Sequence, residues 1–286
     1  MNAFHSNWTK PFFLRNQGVP YFVEDYDLLT TILSALEWRK HNGGIKMVTD
    51  TIGAEYYQKL RLEHIWDMGI TASLDKLDSE AIFPLSFWAA GKIFALEQQL
   101  VPCVMIDTDF IVWKSLTAYT NGEKLAVAHR EDLSGEIYPE KTFFNMDRNY
   151  AFPAEWDWTV LPCNTALLYI DDEQFKEYYI SQSIRFMRNL RETKNITAEM
   201  VFAEQRLLAM CAAARGIKIS TLLDMDNLDA QNAFTHVWGF KRELHTNMEK
   251  RREFCVGCVK KILFDFPEET SVLEKIESLK PYMEKV

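Results

Sequence analysis

Short apolar runs, separated by longer stretches of mixed polarity, set the rhythm of this chain. The run Ile45-Lys-Met-Val-Thr-Asp50 reads as a strand, and residues 54–62 after it as a helix. Residues 70–74 form a weaker strand pattern. Pro84 sits where a helix over residues 86–99 would start, since proline is well tolerated in a first helical turn. Residues 101–106, 125–129 and 166–170 read as further strands. Two long helical stretches follow, over residues 172–191 and 197–215, the second closed by Gly216 in the manner of a helix C-terminus. Residues 217–222 and 235–238 return to strand character, and the chain from Arg242 onward is helical with a break at Phe266-Pro267. Strands that alternate with helices predict an α/β fold with a mixed, mostly parallel sheet flanked by helices and a helical C-terminal extension. The expected division is an α/β unit over residues 1–245 and the extension over 246–286, packed on the same domain.

Composition narrows the function classes. The 286 residues are 48% apolar, enough for a large core. A formal charge of -9 speaks against general nucleic-acid or anionic-membrane binding, which need basic surface. No uninterrupted apolar stretch is long enough to span a bilayer. Met1-Asn-Ala-Phe-His-Ser-Asn-Trp8 has neither a basic start nor an apolar segment of the secretory kind. Five cysteines do not suggest a disulfide framework, so a reduced, cytoplasmic protein is expected, with at most peripheral membrane contact. Cys103, Cys163 and Cys211 lie in apolar runs. Cys255-Val-Gly-Cys258 is half a zinc site with no second pair. The basic, amphipathic stretch around it reads as a solvated helix.

The chemistry concentrates at the end of one strand. The apolar run Val101-Pro-Cys-Val-Met-Ile106 stops abruptly at Asp107-Thr-Asp109. On an extended chain a spacing of two puts both carboxylates on one face. Ligands of open α/β sheets collect at such strand ends, and a hard divalent cation prefers carboxylates and phosphate oxygens. Asp50 ends another strand and can meet the same cleft. His236-Val-Trp-Gly239-Phe-Lys241 combines an imidazole that suits Mn²⁺, a glycine that admits a phosphate and a cationic phosphate partner. Trp88 and Lys92, four residues apart, would share a helix face. Asn164 precedes a strand and can hydrogen-bond a sugar hydroxyl. Glu204-Gln205 is a carboxylate–amide pair suited to hydroxyl-rich ligands, whereas Glu199 on the same helix reads as part of a solvated face.

These motifs, in this order, resemble those of the GT-A-fold glycosyltransferases, within them the retaining enzymes of glycosyltransferase family 8 and bacterial sugar-transferase relatives. Val-Met-Ile-Asp107-Thr-Asp109 resembles their DxD strand. Phe87-Trp-Ala-Ala-Gly-Lys92 lies where they carry a helix with a basic residue. His236-x-x-Gly239-x-Lys241 is similar to their His-x-x-Gly-x-x-Lys, one residue shorter, and Cys163-Asn164-Thr resembles the strand that lines the acceptor. Ser6-Asn-Trp-Thr-Lys-Pro11 is similar to a first strand in bacterial relatives of unassigned substrate. The resemblance spans residues 4–245. It implies Mn²⁺ or Mg²⁺ on Asp107, Asp109 and His236, with Lys241 assisting. It also implies a UDP-sugar as hexose donor, a carbohydrate or lipid-linked saccharide as acceptor, retention of configuration and a place in polysaccharide synthesis. Asp50, Trp88, Lys92, Asn164, Glu204, Gln205 and Gly239 would contact substrates.

Two other readings use the same acids. Haloacid-dehalogenase-like phosphohydrolases also end an apolar strand in Asp-x-Asp, and Asp171-Asp172 would supply their later acidic pair. A non-catalytic nucleotide- or carbohydrate-binding protein on a transferase scaffold is the third.

Overall fold

Most of the apolar runs become strands, and their order in space differs from their order in sequence. The structure is a computed structural model and describes residues 1–223 and 231–285. Its strands are β1 (Asn2–Asn7), β2 (Ile45–Thr49), β3 (Ile70–Ala72), β4 (Cys103–Ile106), β5 (Phe110–Val112), β6 (Leu125–Arg130), β7 (Asn145–Met146), β8 (Cys163–Ile170), β9 (Leu190–Glu192), β10 (Ser220–Thr221) and β11 (Phe234–His236). Seven of them form one sheet in the order β10-β6-β8-β4-β1-β2-β3. Within it β1, β2, β3 and β4 pair in parallel, as do β6 and β10, while β8 runs antiparallel to both its neighbours. The fold is therefore mixed α/β, with a mostly parallel sheet flanked by helices.

Every residue of β8 is buried, which explains its unbroken run Cys163-Asn-Thr-Ala-Leu-Leu-Tyr-Ile170. A strand covered on both faces loses the alternation of a half-exposed one. Each face of the sheet carries its own core. On one side the helices Asp25–His41 and Met248–Asp265 pack with β5, β11 and the final turns through Tyr282. On the other, helices Ala90–Leu96 and Glu173–Asn189 pack with the segment from Ala198 to Ala212. The C-terminal segment thus shares an apolar core with the sheet.

Several elements differ from their sequence pattern. Helix Asp25–His41 was not expected at all: nearly every residue from Asp25 to Trp38 is buried, and a helix covered all round shows no amphipathic stripe. The helix expected over 86–99 is only Ala90–Leu96, entered through tight turns, so Trp88 and Lys92 do not share a helix. Gly91 sits so close to β1 that an added Cβ would lie 2.9 Å from the Trp8 Cβ. The helix expected over 54–62 starts earlier, at Thr51, because the Asp50 carboxylate caps it by accepting from Gly53 N–H. The stretch expected as one helix over 197–215 widens into a π-helical turn at Phe202–Arg206. The first strand is Asn2–Asn7, and Lys10 already begins a helix. The strand expected over 217–222 reduces to two residues, Ser220–Thr221.

Candidate active site

Asp107 and Asp109 stand just beyond the C-terminal end of β4, at the end of the sheet toward which the parallel strands point. The chain turns there and leaves as β5. Asp107 N–H donates to the Ala166 carbonyl of β8 at 2.8 Å, and Phe110 N–H donates to the Asp107 carbonyl at 3.0 Å. The two carboxylates are thereby held on a short, hydrogen-bonded turn.

His236 reaches this turn by strand pairing. β11 runs antiparallel to β5 with His236 opposite Phe110, and Val237 N–H donates to the Asp109 carbonyl at 3.1 Å. A sequence separation of more than 120 residues is closed by three residues of ladder. One ligand atom from each of Asp107, Asp109 and His236 falls within 4.8 Å of the others.

Two half-buried lysines flank the pair. Lys92 Nζ lies 2.5 Å from Asp107 and 2.5 Å from Glu204. Lys241 Nζ lies 2.9 Å from Asp109 and 2.8 Å from Asp27, at the first turn of helix Asp25–His41. Each lysine therefore joins one acid of the Asp-Thr-Asp turn to a second carboxylate from another element. Burial disfavours both ammonium charges, yet the adjoining acids outweigh it and raise both lysines above their ordinary values. Burial also opposes ionisation of Asp109, but Lys241 and His236 hold its carboxyl below the usual range. Burial lowers the His236 imidazole against the pull of Asp109 and Asp107, so the neutral, metal-ligating form is favoured. Glu204 and Asp27 are pushed up by burial, each opposed by its lysine.

The antiparallel course of β8 brings its first residues to the same edge. Glu204 Oε1 accepts from Thr165 Oγ1 at 2.8 Å, and Asn164 Nδ2 donates to Glu131 Oε1 at 2.9 Å. The wide turn at Phe202–Arg206 carries Glu204 toward Lys92, while Gln205 accepts from the Tyr138 hydroxyl at 2.6 Å. Turns of this kind recur at functional sites. The acidic pair Asp171-Asp172 follows the far end of β8, where Ile170 pairs with Cys103 at the start of β4. Asp172 is used there as a helix cap for Phe175 N–H.

The remaining expected residues are placed as follows. Asp50 is buried, and its carboxylate accepts from Thr9 N–H at 2.7 Å, Thr9 Oγ1 at 2.9 Å and Gly53 N–H at 2.9 Å. Trp88 is exposed on the turns ahead of helix Ala90–Leu96. Gly239 lies in a single turn over Trp238–Phe240, and nothing would meet a Cβ there within 4 Å. Glu199 corrects its sequence reading: it is 1% exposed, and it accepts from Lys194 N–H at 2.6 Å at the start of its helix. Cys255 and Cys258 are buried free thiols in the helical core. Asp27 and Tyr138 escaped sequence reasoning. Each is an isolated polar residue whose partner is supplied only by folding.

Fold and site together define a mixed α/β protein with an acid–imidazole cluster beyond a central strand of a mostly parallel sheet. The chain belongs to the family of unknown function DUF6734, which it matches over residues 1–276. Comparison with curated proteins gives no match. Among solved structures it is similar to the glycosyltransferase GlyE of Streptococcus pneumoniae TIGR4, at 15% identity and a TM-score of 0.35, over 71% of this chain and 44% of that one. It is similar to the bifunctional glycosyltransferase WbbM at 11% identity and a TM-score of 0.45, over 78% of this chain and 38% of that one. Mouse xyloside xylosyltransferase 1 is similar at 9% identity and a TM-score of 0.37, over 78% of this chain and 85% of that one. The chain spans less than half the length of the first two structures. Among the described residues no helix is long and apolar enough to cross a membrane.

Proposed function

We propose that the protein is a metal-dependent glycosyltransferase that moves a hexose from a UDP-sugar to a hydroxyl acceptor with retention of configuration. The observation that carries this reading is the convergence of Asp107, Asp109 and His236 within 4.8 Å. Two carboxylates and a neutral imidazole fit Mn²⁺ or Mg²⁺ by donor chemistry. When bound on these three side chains, the cation supplies charge neutralisation for a departing diphosphate.

The chain's own groups complete the arrangement. Ionised, the four carboxylates of Asp27, Asp107, Asp109 and Glu204 exceed the two ammonium groups of Lys92 and Lys241 by two charges. That is the charge one divalent cation brings. Lys241, at the start of the helix after Gly239, would share itself between Asp109 and a phosphate oxygen, and that phosphate would approach the backbone at Gly239, where a Cβ would meet nothing within 4 Å. Asn164, Glu204 and Gln205 would face the acceptor, with the exposed ring of Trp88 available to a sugar face. Asp50 would act on the nucleoside side by ordering the backbone at Thr9. The acceptor would be a carbohydrate or a lipid-linked saccharide, in the synthesis of a polysaccharide in the cytoplasm.

A phosphohydrolase would need a second acidic pair beside Asp107, and the reversed direction of β8 carries Asp171 and Asp172 to the opposite end of the sheet. Calorimetry with UDP and with GDP, each with and without MnCl₂, tests the reading on the wild type and on Asp109→Asn. We expect UDP affinity that rises with Mn²⁺ and loses that rise in the variant. Metal-dependent affinity that is the same in both proteins overturns it. Phosphate release from simple phosphoesters, abolished in the variant, would establish the hydrolase instead. Nucleotide binding with no turnover across a broad sugar panel would leave a binding protein.

A further inference from the structure

We propose that His5 and Ser34 are positioning residues for the cation site, holding the Asp-Thr-Asp turn and the β5/β11 ribbon in register from beneath. The inference rests on the reading of Asp107, Asp109 and His236 as metal ligands. The observation behind it is a buried relay of three hydrogen bonds that ends on the backbone of the site. The Trp66 indole N–H donates to His5 Nδ1 at 3.2 Å, His5 Nε2 is 3.0 Å from Ser34 Oγ, and the Ser34 hydroxyl donates to the Phe110 carbonyl at 2.6 Å. An indole can only donate, so Nδ1 accepts and the proton of a neutral His5 sits on Nε2. The serine accepts that proton's bond and passes its own to Phe110. Every donor in the relay points the same way, toward the site.

The terminus of the relay gives it a function. Phe110 follows Asp109 directly and lies opposite His236 in the ribbon. Val237 N–H takes the Asp109 carbonyl and Trp113 N–H takes the Ala233 carbonyl, and the Phe110 carbonyl turns away to helix Asp25–His41. The relay therefore fixes the Phe110–Ile111 peptide of β5, one residue past a metal-ligating acid and in the strand that pairs with the one presenting the imidazole. His5 and Ser34 are 0% and 1% exposed, and their side-chain hydrogen bonds go to Trp66, to each other and to the Phe110 carbonyl. A packing role alone would be served at lower cost by apolar side chains, because a buried hydroxyl and imidazole must find partners. Groups that orient metal ligands from behind commonly change metal affinity by about tenfold or more when removed.

The test is Mn²⁺ binding followed by loss of the free-ion electron paramagnetic resonance signal, with MnCl₂ alone as the probe. Ser34→Ala deletes one oxygen. His5→Phe keeps an aromatic ring, a slightly larger one, and deletes both hydrogen bonds, and His5→Gln restores one donor and one acceptor. We expect Mn²⁺ binding about tenfold weaker in Ser34→Ala and His5→Phe. We expect His5→Gln to stay within about threefold of wild type, a rescue that loss of packing would not produce. Thermal unfolding of each variant establishes that it is folded, and Ser34→Ala carries the test if His5→Phe is not. Wild-type affinity in both deletion variants overturns the inference and leaves the metal site standing. Absence of Mn²⁺ binding by the wild-type protein overturns both.

Discussion

The ammonium group of Lys92 lies 2.5 Å from a carboxylate oxygen of Asp107 and equally near Glu204, with its side chain only 13% exposed. Removing one member of a buried charge cluster leaves its partners facing each other without a counter-ion, which costs about 3–5 kcal/mol. Lys92→Met should therefore destabilise the fold by about 3 kcal/mol. Adding Glu204→Gln to it should restore a large part of that loss, because one of the two stranded charges is gone. Denaturant unfolding of the two single variants and the double variant gives the coupling directly. Additive losses would show that Lys92 and Glu204 do not share the charge as described.

Glu37 and Asp265 join helix Asp25–His41 to helix Met248–Asp265, with Lys40 3.4 Å from Asp265 and 3.7 Å from Glu37. Lys261 also reaches Asp265, at 2.6 Å, and His41 reaches Glu37, at 3.2 Å. Burial and the neighbouring Asp265 carboxylate push the Glu37 carboxyl up to about 7, with Lys40 and Lys261 opposing. Burial opposes ionisation of Asp265, yet Lys261, Glu37 and Lys40 together bring it down to about 2. A carboxyl raised by folding binds its proton more tightly in the native state. The Glu37 contribution to stability is therefore full below its unfolded value and is lost as pH rises through about 7. Melting temperature should fall between pH 5 and pH 8, by about 2 °C for each kcal/mol lost in a chain of this size. Glu37→Gln, a permanent hydrogen-bond donor to Asp265, should flatten that decline. Equal slopes for the two proteins would remove Glu37 as the cause.

Arg206 is fully buried on the wide turn beside Gln205 and donates to three backbone carbonyls of one long connection, those of Tyr138, Pro139 and Trp158. Its guanidinium also lies 5.1 Å from the Trp158 ring centroid. Hydrogen bonds from a charged donor are worth more than neutral ones, and the carbonyls would be left without it. Arg206→Met should cost about 3 kcal/mol and speed limited proteolysis within residues 138–158. It should also loosen the Tyr138–Gln205 contact on the acceptor side. Cleavage of that connection at the wild-type rate would show that Arg206 does not hold it.

Sequence alone determined the strands that are buried on both faces and the carboxylates that end one of them. An apolar run broken by Asp107-Thr-Asp109 is a local signal, because the hydrophobic effect and the strand repeat both act over a few residues. The α/β class followed from the alternation of runs, and the long helices after Asp172 were legible for the same reason. Helix Asp25–His41 was not, since a helix surrounded by protein has no polar face to mark its period. That omission hid Asp27, Ser34 and Glu37 together. Tertiary structure decided what meets the acids. The direction of β8 brings Asn164 and Thr165 to Asp107 and sends Asp171 away, although nothing within the strand encodes its direction. The pairing of β11 with β5 brings His236 in, and the two lysines are assigned their partners by packing of helices distant in sequence. Such contacts depend on which surfaces the whole chain can bury at once, and no short stretch of residues contains that information.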